Sequence, residues 1–172
     1  MIYFNLITIV LLYIIVASVS LYTIFGGFLY GAMWMKLPKQ RVQKMLELGK
    51  VTQGTIVYDL GAGFGNVAFQ AHKLGARVVA IEADPIKAWW IKRQIQKNHL
   101  INISCIQGNL LEENLAQADV LLCYLSDTLM KKIAEKTLKK TVIVVSACHK
   151  IKGYTPKIID KNGIYPIYVY SD

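Results

Sequence analysis

The first 35 residues contain no Asp, Glu, Lys or Arg. All 20 basic and all 11 acidic side chains lie in the 137 positions from Lys36 onward. A stretch this long without charge is a poor solvent-facing helix, and it is longer than a buried helix of a small soluble domain usually runs. As a helix, residues 2 to 25 would extend roughly 36 Å, enough to cross a hydrocarbon layer about 30 Å thick with some tilt. No basic residue precedes the segment, as a secretory signal would require. The expectation is a retained transmembrane helix. Lys36, Lys39, Arg41 and Lys44 follow at once, and the excess of positive charge on cytoplasmic flanks places the C-terminal domain on the cytoplasmic side of a single-pass topology. Tyr30 and Trp34 would lie near headgroup level, and Gly27 and Gly31 make one small-residue pair at helical spacing.

Other absences narrow the chemistry. Cysteine is sparse: Cys105, Cys123 and Cys148 sit in or at the ends of apolar runs, with no zinc-ligand spacing. They read as reduced thiols of a cytosolic compartment. There is no G-x-x-x-x-G-K-S/T phosphate loop and no H-E-x-x-H, and His72, His99 and His149 are far apart in sequence. Metal chemistry and a catalytic triad therefore have no support, and no metal is expected. Acidic residues are few, leaving a net charge of +9. The lysines are scattered, with short clusters at 131–132 and 139–140. That pattern fits a solvated face or a surface drawn to anionic lipid better than a nucleic-acid groove.

Against these absences stands one dense stretch, Val57-Tyr58-Asp59-Leu60-Gly61-Ala62-Gly63-Phe64-Gly65. An apolar run ends in an acid, and three glycines then alternate with other residues. Asn66 to Leu74 has apolar residues at 67, 68, 71 and 74, a helical stripe, with Gly75 where a glycine C-terminal cap belongs. Strand, glycine turn and helix open a nucleotide-cofactor site.

The remaining elements alternate in kind. Pro38 precedes a short amphipathic helix, 40–48, which Gly49 can end. A strand is expected over 77–81, dense in β-branched residues (Val78, Val79, Ile81) and ending in Glu82. Asp84 and Pro85 then start a helix to about Asn98, as N-cap and first-turn proline, with Ala88, Ile91 and Ile95 inward. Trp89 and Trp90 point about 100° apart, either at a core edge or toward a membrane or partner. Strands are expected at 102–107, 118–124 and 141–147. A helix from Ser126 or Asp127 to Leu138 separates the last two. Residues 157–160, a turn at 161–163 and 164–170 read as a hairpin, with Pro166 favouring an edge or a bulge. The expected fold is α/β: a mostly parallel Rossmann-like sheet with a C-terminal antiparallel hairpin, preceded by the transmembrane helix. The expected division is an anchor over 1–35, a linker helix over 36–54 and a cofactor-binding domain over 55–172.

The loop is G-x-G-x-G with an acid two residues before its first glycine, not the G-x-G-x-x-G of dinucleotide folds. Asp59 beside the turn would repel pyrophosphate and suit a cationic ligand such as the amino group of S-adenosylmethionine. Glu82, 21 residues after Gly61, can accept from both ribose hydroxyls. Asn109 closes the third strand, where its amide can reach adenine. Candidate cofactor residues are therefore Asp59, Gly61, Gly63, Gly65, Glu82 and Asn109.

DLGAGFG, IEAD, QGN and ADVLLCYL, in this order, resemble class I S-adenosylmethionine-dependent methyltransferases. YDLGAGFGN, ADVLLCYLSD, TVIVVS, IKGYTP and the upstream VQKMLELGKV more narrowly resemble the archaeal protein-lysine methyltransferases and their membrane-anchored mitochondrial relatives. Those relatives act on the adenine nucleotide translocase and the ATP synthase c subunit. The resemblance covers residues 37 to 172. Two departures stand out: Phe64 and Asn66 occupy a loop that is more polar in the family, and Tyr154 stands where the family tends to have Trp.

The resemblance implies methyl transfer to lysine of a protein substrate, one associated with the membrane if the anchor fixes its neighbours. The rivals are a lipid or small-molecule methyltransferase at the same face, and a non-catalytic S-adenosylmethionine-binding module. Tyr124, at the end of the fourth strand, is the first candidate for positioning the acceptor, and Tyr154 is a candidate lining residue. Asp127 is a candidate proton acceptor or a helix cap, and Asp119, at the far end of its strand, is structural.

Overall fold

The computed structural model describes residues 2–29, 36–137 and 141–171. Tyr30, Gly31, Trp34, Leu138 and the lysine pair 139–140 lie outside the described residues, so the readings attached to them have no structural counterpart. The chain divides into two compact units, Met1–Trp34 and Met35–Asp172.

The first unit carries one helix, α1 (Ile2–Leu29). Asn5–Tyr22 is an 18-residue span of mean hydropathy 2.2 with none of its residues buried, long and apolar enough to cross a membrane. Within it the Ser20 hydroxyl donates to the Val16 carbonyl at 2.8 Å, the back-bonding by which a helix satisfies its own hydroxyls.

The second unit is built on a seven-stranded sheet. In chain order its elements are α2 (Lys39–Leu48), β1 (Ile56–Leu60), α3 (Asn66–Lys73), β2 (Arg77–Glu82), α4 (Pro85–Lys97), β3 (Ile103–Gln107), β4 (Val120–Cys123), α5 (Asp127–Thr137), β5 (Ile143–Ala147), β6 (Ile158–Asp160) and β7 (Ile167–Tyr170). The strand order is β3-β2-β1-β4-β5-β7-β6. β1 to β5 run parallel, and β7 is antiparallel to both β5 and β6. This is the mostly parallel sheet with terminal antiparallel strands that the alternation of patterns predicts. The order reverses between β1 and β4, so the loops at their C-terminal ends diverge and leave a crevice there.

The sheet is covered on both faces, which explains strands that are apolar throughout. On one face Val57, Val78, Val120, Leu122 and Val145 pack with Val42 and Met45 of α2, Ala68 and Ala71 of α3 and Ile91 of α4. On the other, Tyr58, Leu60, Leu121, Cys123 and Val144 pack with Met130, Ile133 and Ala134 of α5. Successive residues of β1 and β4 alternate between these two cores, the two-residue period of a pleated strand. Helix α2, read in sequence as a linker, has Val42 and Met45 fully buried. Its Arg41 is buried too, donating to the Asn162 carbonyl at 2.6 Å and facing Asp160 at 3.5 Å.

Boundaries obey the expected local chemistry. Asp84 caps α4 through its Oδ1, which accepts from the N–H groups of Ile86 and Lys87 at 2.9 and 3.3 Å. At the end of α3 the N–H of Gly75 reaches the His72 carbonyl and that of Ala76 the Ala71 carbonyl, the paired bonds of a glycine-terminated helix. Asp119 accepts from the Ile56 N–H at 2.8 Å, so its role at the far end of the sheet is structural. Pro166 differs from expectation. The hairpin connection extends over 161–166, and Pro166 immediately precedes β7, an interior strand. A proline just outside the ladder removes no donor from it, and its carbonyl accepts from the Cys148 N–H at 2.7 Å.

Candidate active site

The glycine turn leaves β1 at the switch point. Its backbone folds back on β2: the N–H groups of Gly61 and Ala62 both donate to the Ile81 carbonyl, at 2.9 and 3.0 Å. Gly61 and Gly65 have φ of 73° and 80°. A Cβ on Gly61 would stand 2.6 Å from Cδ2 of Leu125, and one on Gly65 would stand 2.7 Å from Cε2 of Phe69. Both positions require glycine for conformation and for space. The Gly61 contact also ties the turn to the segment that follows β4.

Two buried carboxylates brace this turn. Glu82, at the end of β2, accepts from the Gly63 N–H at 2.6 Å through Oε2 and from the Asp84 N–H at 2.9 Å through Oε1. Each oxygen keeps a second lone pair, enough for a pair of ribose hydroxyls. Asp59 lies beneath the turn, where its Oδ2 accepts from the Ala68 N–H of α3 at 2.9 Å. Burial pushes the Asp59 pKa up to about 7; the Ala68 hydrogen bond opposes this and the charge of Glu82 adds to it. Glu82 is raised as well, by burial first, against the hydrogen bonds from Asp84 and Gly63 and the nearby Lys87 ammonium. A turn that admits close backbone approach, above two buried acids short of positive charge, fits a ligand that brings cationic groups and hydroxyl donors. S-adenosylmethionine has both.

Asn109, after β3, is engaged in its own turn. Its Oδ1 accepts from the Leu111 N–H at 3.1 Å and its Nδ2 donates to Glu112 Oε1 at 2.9 Å. The six cofactor candidates thus lie on β1, β2 and β3 ends, but they differ in place: Glu82 and the glycines face one another across the turn, Asp59 sits beneath it, and Asn109 shapes a loop at its side.

The other half of the crevice lies after β4 and β5. Tyr124 is half-buried, its ring tilted against Tyr165 with centroids 5.9 Å apart. Its hydroxyl oxygen is shielded from solvent and is held only loosely, against the Tyr165 side chain. Burial, then the neighbouring Tyr165 and Cys148 and the hydrogen bond with Tyr165, pushes its pKa up to about 12.

Asp127 begins α5 and does not act as a simple cap: its Oδ1 lies 2.6 Å from Nδ1 of His149. His149 is the site residue that the sequence did not reveal. The two are 22 positions apart, but β4 and β5 are neighbours with Cys123 opposite Ser146. The signal was available in that pairing: residues three or four beyond adjacent parallel strands must meet. His149 is aimed by a tight turn. Its N–H donates to the Ala147 carbonyl at 2.9 Å, around Cys148 at φ 72°, and the Ser146 hydroxyl holds its carbonyl at 2.6 Å. This three-residue turn is a strained form, worth about 1–3 kcal/mol, and such strain concentrates at sites. Tyr154 is half-buried against the α5-side core.

Comparison with known proteins agrees with this geometry. The ANTKMT methyltransferase domain family matches residues 59–158. A protein-lysine N-methyltransferase of Saccharolobus islandicus (strain REY15A) is 31% identical over 147 residues, covering 80% of this chain and 91% of that protein. A ribosomal protein L11 methyltransferase of Clostridium perfringens (strain SM101 / Type A) is 35% identical over 92 residues, but the match covers 48% of this chain and only 29% of that protein. Among solved structures, an RNA methyltransferase from Salinibacter ruber in complex with S-adenosyl-L-homocysteine superposes with a TM-score of 0.75 at 26% identity, over 80% of this chain and 93% of that one.

Proposed function

The chain belongs to the ANTKMT methyltransferase domain family and is an S-adenosylmethionine-dependent methyltransferase; from that premise we propose that it is a membrane-tethered enzyme that methylates lysine side chains of a protein at the cytoplasmic face. The observation that carries the acceptor class is the near full-length similarity to the archaeal protein-lysine enzyme, on a chain whose second half-site offers both a loosely held hydroxyl and a histidine–carboxylate pair.

Glu82 and the glycine turn would hold the ribose, and Asp59 would offset the positive charge of the ligand above it. Bound there, the donor supplies a methyl group on a sulfonium that leaves as a neutral thioether. The rest falls to this chain. Lysine reaches the crevice as an ammonium and must lose a proton to gain a lone pair. In the tautomer that donates Nδ1–H to Asp127, His149 presents Nε2 as the acceptor for that proton. As the amine lone pair forms the C–N bond and the C–S bond breaks, the Tyr124 hydroxyl orients the nitrogen. Asp127 stabilises the imidazolium so formed.

The tether rests on the span Asn5–Tyr22, and the orientation on the basic residues after it. The proposed division of labour is an anchor within 1–35, residues 36–54 joining it to the sheet, and the catalytic unit beyond.

The test uses purified full-length protein, methyl-labelled donor, and membrane and soluble fractions. Label is expected in protein, recovered as methyl-lysine after hydrolysis. Label in lipid or RNA, with none in protein, overturns the acceptor assignment. Protease protection of the catalytic unit in intact cells, lost on lysis, tests the topology.

A further inference from the structure

Helix α4 carries two opposed apolar faces, and the fold uses only one of them. Ala88 and Ile91 are fully buried. On the far side Ile86, Trp89 and Trp90 are 52%, 57% and 42% exposed, at helical spacings of three and four, and Arg93 continues the line. Phe64, from the middle of the glycine turn and 38% exposed, joins them: its ring meets Trp90 edge-on at 6.4 Å and 85°. The Arg93 guanidinium lies over the Trp89 ring at 5.7 Å. The helix contains no acidic residue, and Lys92, Arg93 and Lys97 are exposed along it. Lys87 is excluded from this set, since it pairs with the capping Asp84 at 3.0 Å.

Water-exposed tryptophans side by side are an unusual use of the largest apolar side chain. Nothing in the packing of the sheet requires them there. Their combination with cations of one sign is the composition of a bilayer interface: indoles settle at headgroup depth and basic side chains meet anionic lipid. We infer that the face of Ile86, Trp89, Trp90, Arg93 and Phe64 docks the catalytic unit onto an anionic lipid headgroup layer. This rests on the membrane-tethered reading above. The tether strengthens the case, because Lys39 follows the apolar span by fewer than 20 residues. So short a tether keeps the local concentration of the unit at the membrane high. At such effective concentration a small patch is enough to choose which face meets the surface. An acidic protein partner would satisfy the cations, but it would not need two indoles at interfacial spacing. Docking through Phe64 presents the donor turn toward the headgroups, which matches an acceptor lysine close to the membrane.

The test is carried out on the full chain with Trp34→Phe, so that Trp89 and Trp90 are the remaining emitters. Protein is reconstituted into phosphatidylcholine vesicles with and without phosphatidylglycerol, and the lipid is supplied plain or brominated. The expected result is loss of most tryptophan emission to brominated lipid in the anionic vesicles. Quenching is expected to be weaker in pure phosphatidylcholine, and reduced by salt and by Lys92→Gln/Arg93→Gln. Donor binding by calorimetry reports that each variant is folded. Equal emission in plain and brominated anionic vesicles, with the protein floating alongside them, overturns the inference and leaves the tether intact. Shielding that appears only on adding a soluble protein fraction overturns it in favour of a protein partner. A chain that does not float with vesicles of either kind removes the tether, and the docking with it.

Discussion

The two halves of the crevice are built in opposite ways. On the β1–β2 side the groups that would touch the donor are buried and already bonded: Glu82 spans two backbone N–H groups, Asp59 holds the first turn of α3, and the glycine turn is pinned to Ile81. On the β4–β5 side the polar groups are half-open or unfinished. Tyr124 has a shielded hydroxyl held only loosely, against Tyr165, and the Asp127–His149 pair sits at the lip behind a strained turn. A cofactor of fixed shape returns to the first half in every turnover, so preorganisation there carries no penalty. The second half must admit a side chain on a folded protein and release it. Its groups are completed only by the substrate.

Breaking the rigid half is expected to produce the largest effect. Glu82→Ala removes the acceptors proposed for the two ribose hydroxyls and strips acceptors from the Gly63 and Asp84 N–H groups. Two charge-assisted hydrogen bonds at about 1.5–3 kcal/mol each predict a loss of donor affinity on the order of 10³-fold. Isothermal calorimetry reads it directly. Unchanged affinity would remove Glu82 from the site.

In the open half, His149→Phe is expected to reduce kcat by roughly 10²-fold and to leave donor affinity where it was. Asp127→Asn should reduce kcat in the same direction. A fall in donor affinity of the same size as the fall in kcat would make the pair structural instead of catalytic.

How far each half can be read from sequence follows from the same contrast. Asp59, the three glycines and Glu82 lie within 24 consecutive residues, and a strand–turn–helix–strand unit fixes their geometry locally. The parallel pairing was legible for the same reason, since alternating patterns of period 2 and 3.6 force crossover connections; the strand order, with its reversal at β1, came only from the structure. The pairing of Asp127 with His149 depends on which strands become neighbours, and no local pattern states that. The position of Pro166 was misjudged because periodicity does not say that the turn would consume residues 164–166. The burial of Arg41 in α2 was equally hidden, because its partners Asp160 and Asn162 lie about 120 residues away. The exposure of Trp89 and Trp90 could be posed as alternatives from helical spacing, but it could be decided only once the inward face of α4 was known.

Asp59 gives a prediction of intermediate size with a sign that can be worked out. Its folded pKa, about 7, lies above the ordinary carboxylate value of 3.8. The folded protein therefore binds the proton more tightly, and this contribution to stability is complete at low pH and lost as pH rises toward 7. Donor binding favours the ionised form, so donor affinity should rise over the same interval in which the ligand-free protein loses stability. Asp59→Asn keeps an acceptor for the Ala68 N–H but cannot ionise. It is expected to flatten both trends and to weaken donor binding by roughly 10-fold at neutral pH, one charge-assisted interaction. Thermal melts and calorimetry between pH 5 and pH 8 check it. An Asn variant with the pH dependence intact would assign the titration to Glu82.

The smallest expected effect is the most telling about the open half. Tyr124→Phe deletes one oxygen that is shielded from solvent and held only loosely, against Tyr165. If that hydroxyl existed for the fold, its removal would cost stability. Removing so weakly bonded a polar atom should instead change stability by no more than about 1 kcal/mol, while the Tyr165 ring contact is retained by phenylalanine. At the same time kcat should fall and donor affinity should hold, because the lost group acts on the acceptor. A variant that is equally or more stable but slower separates what the fold requires from what the substrate requires. A variant that is less stable at unchanged kcat would place Tyr124 among the bonded groups of the rigid half, and the division between the two sides of the crevice would have to be redrawn.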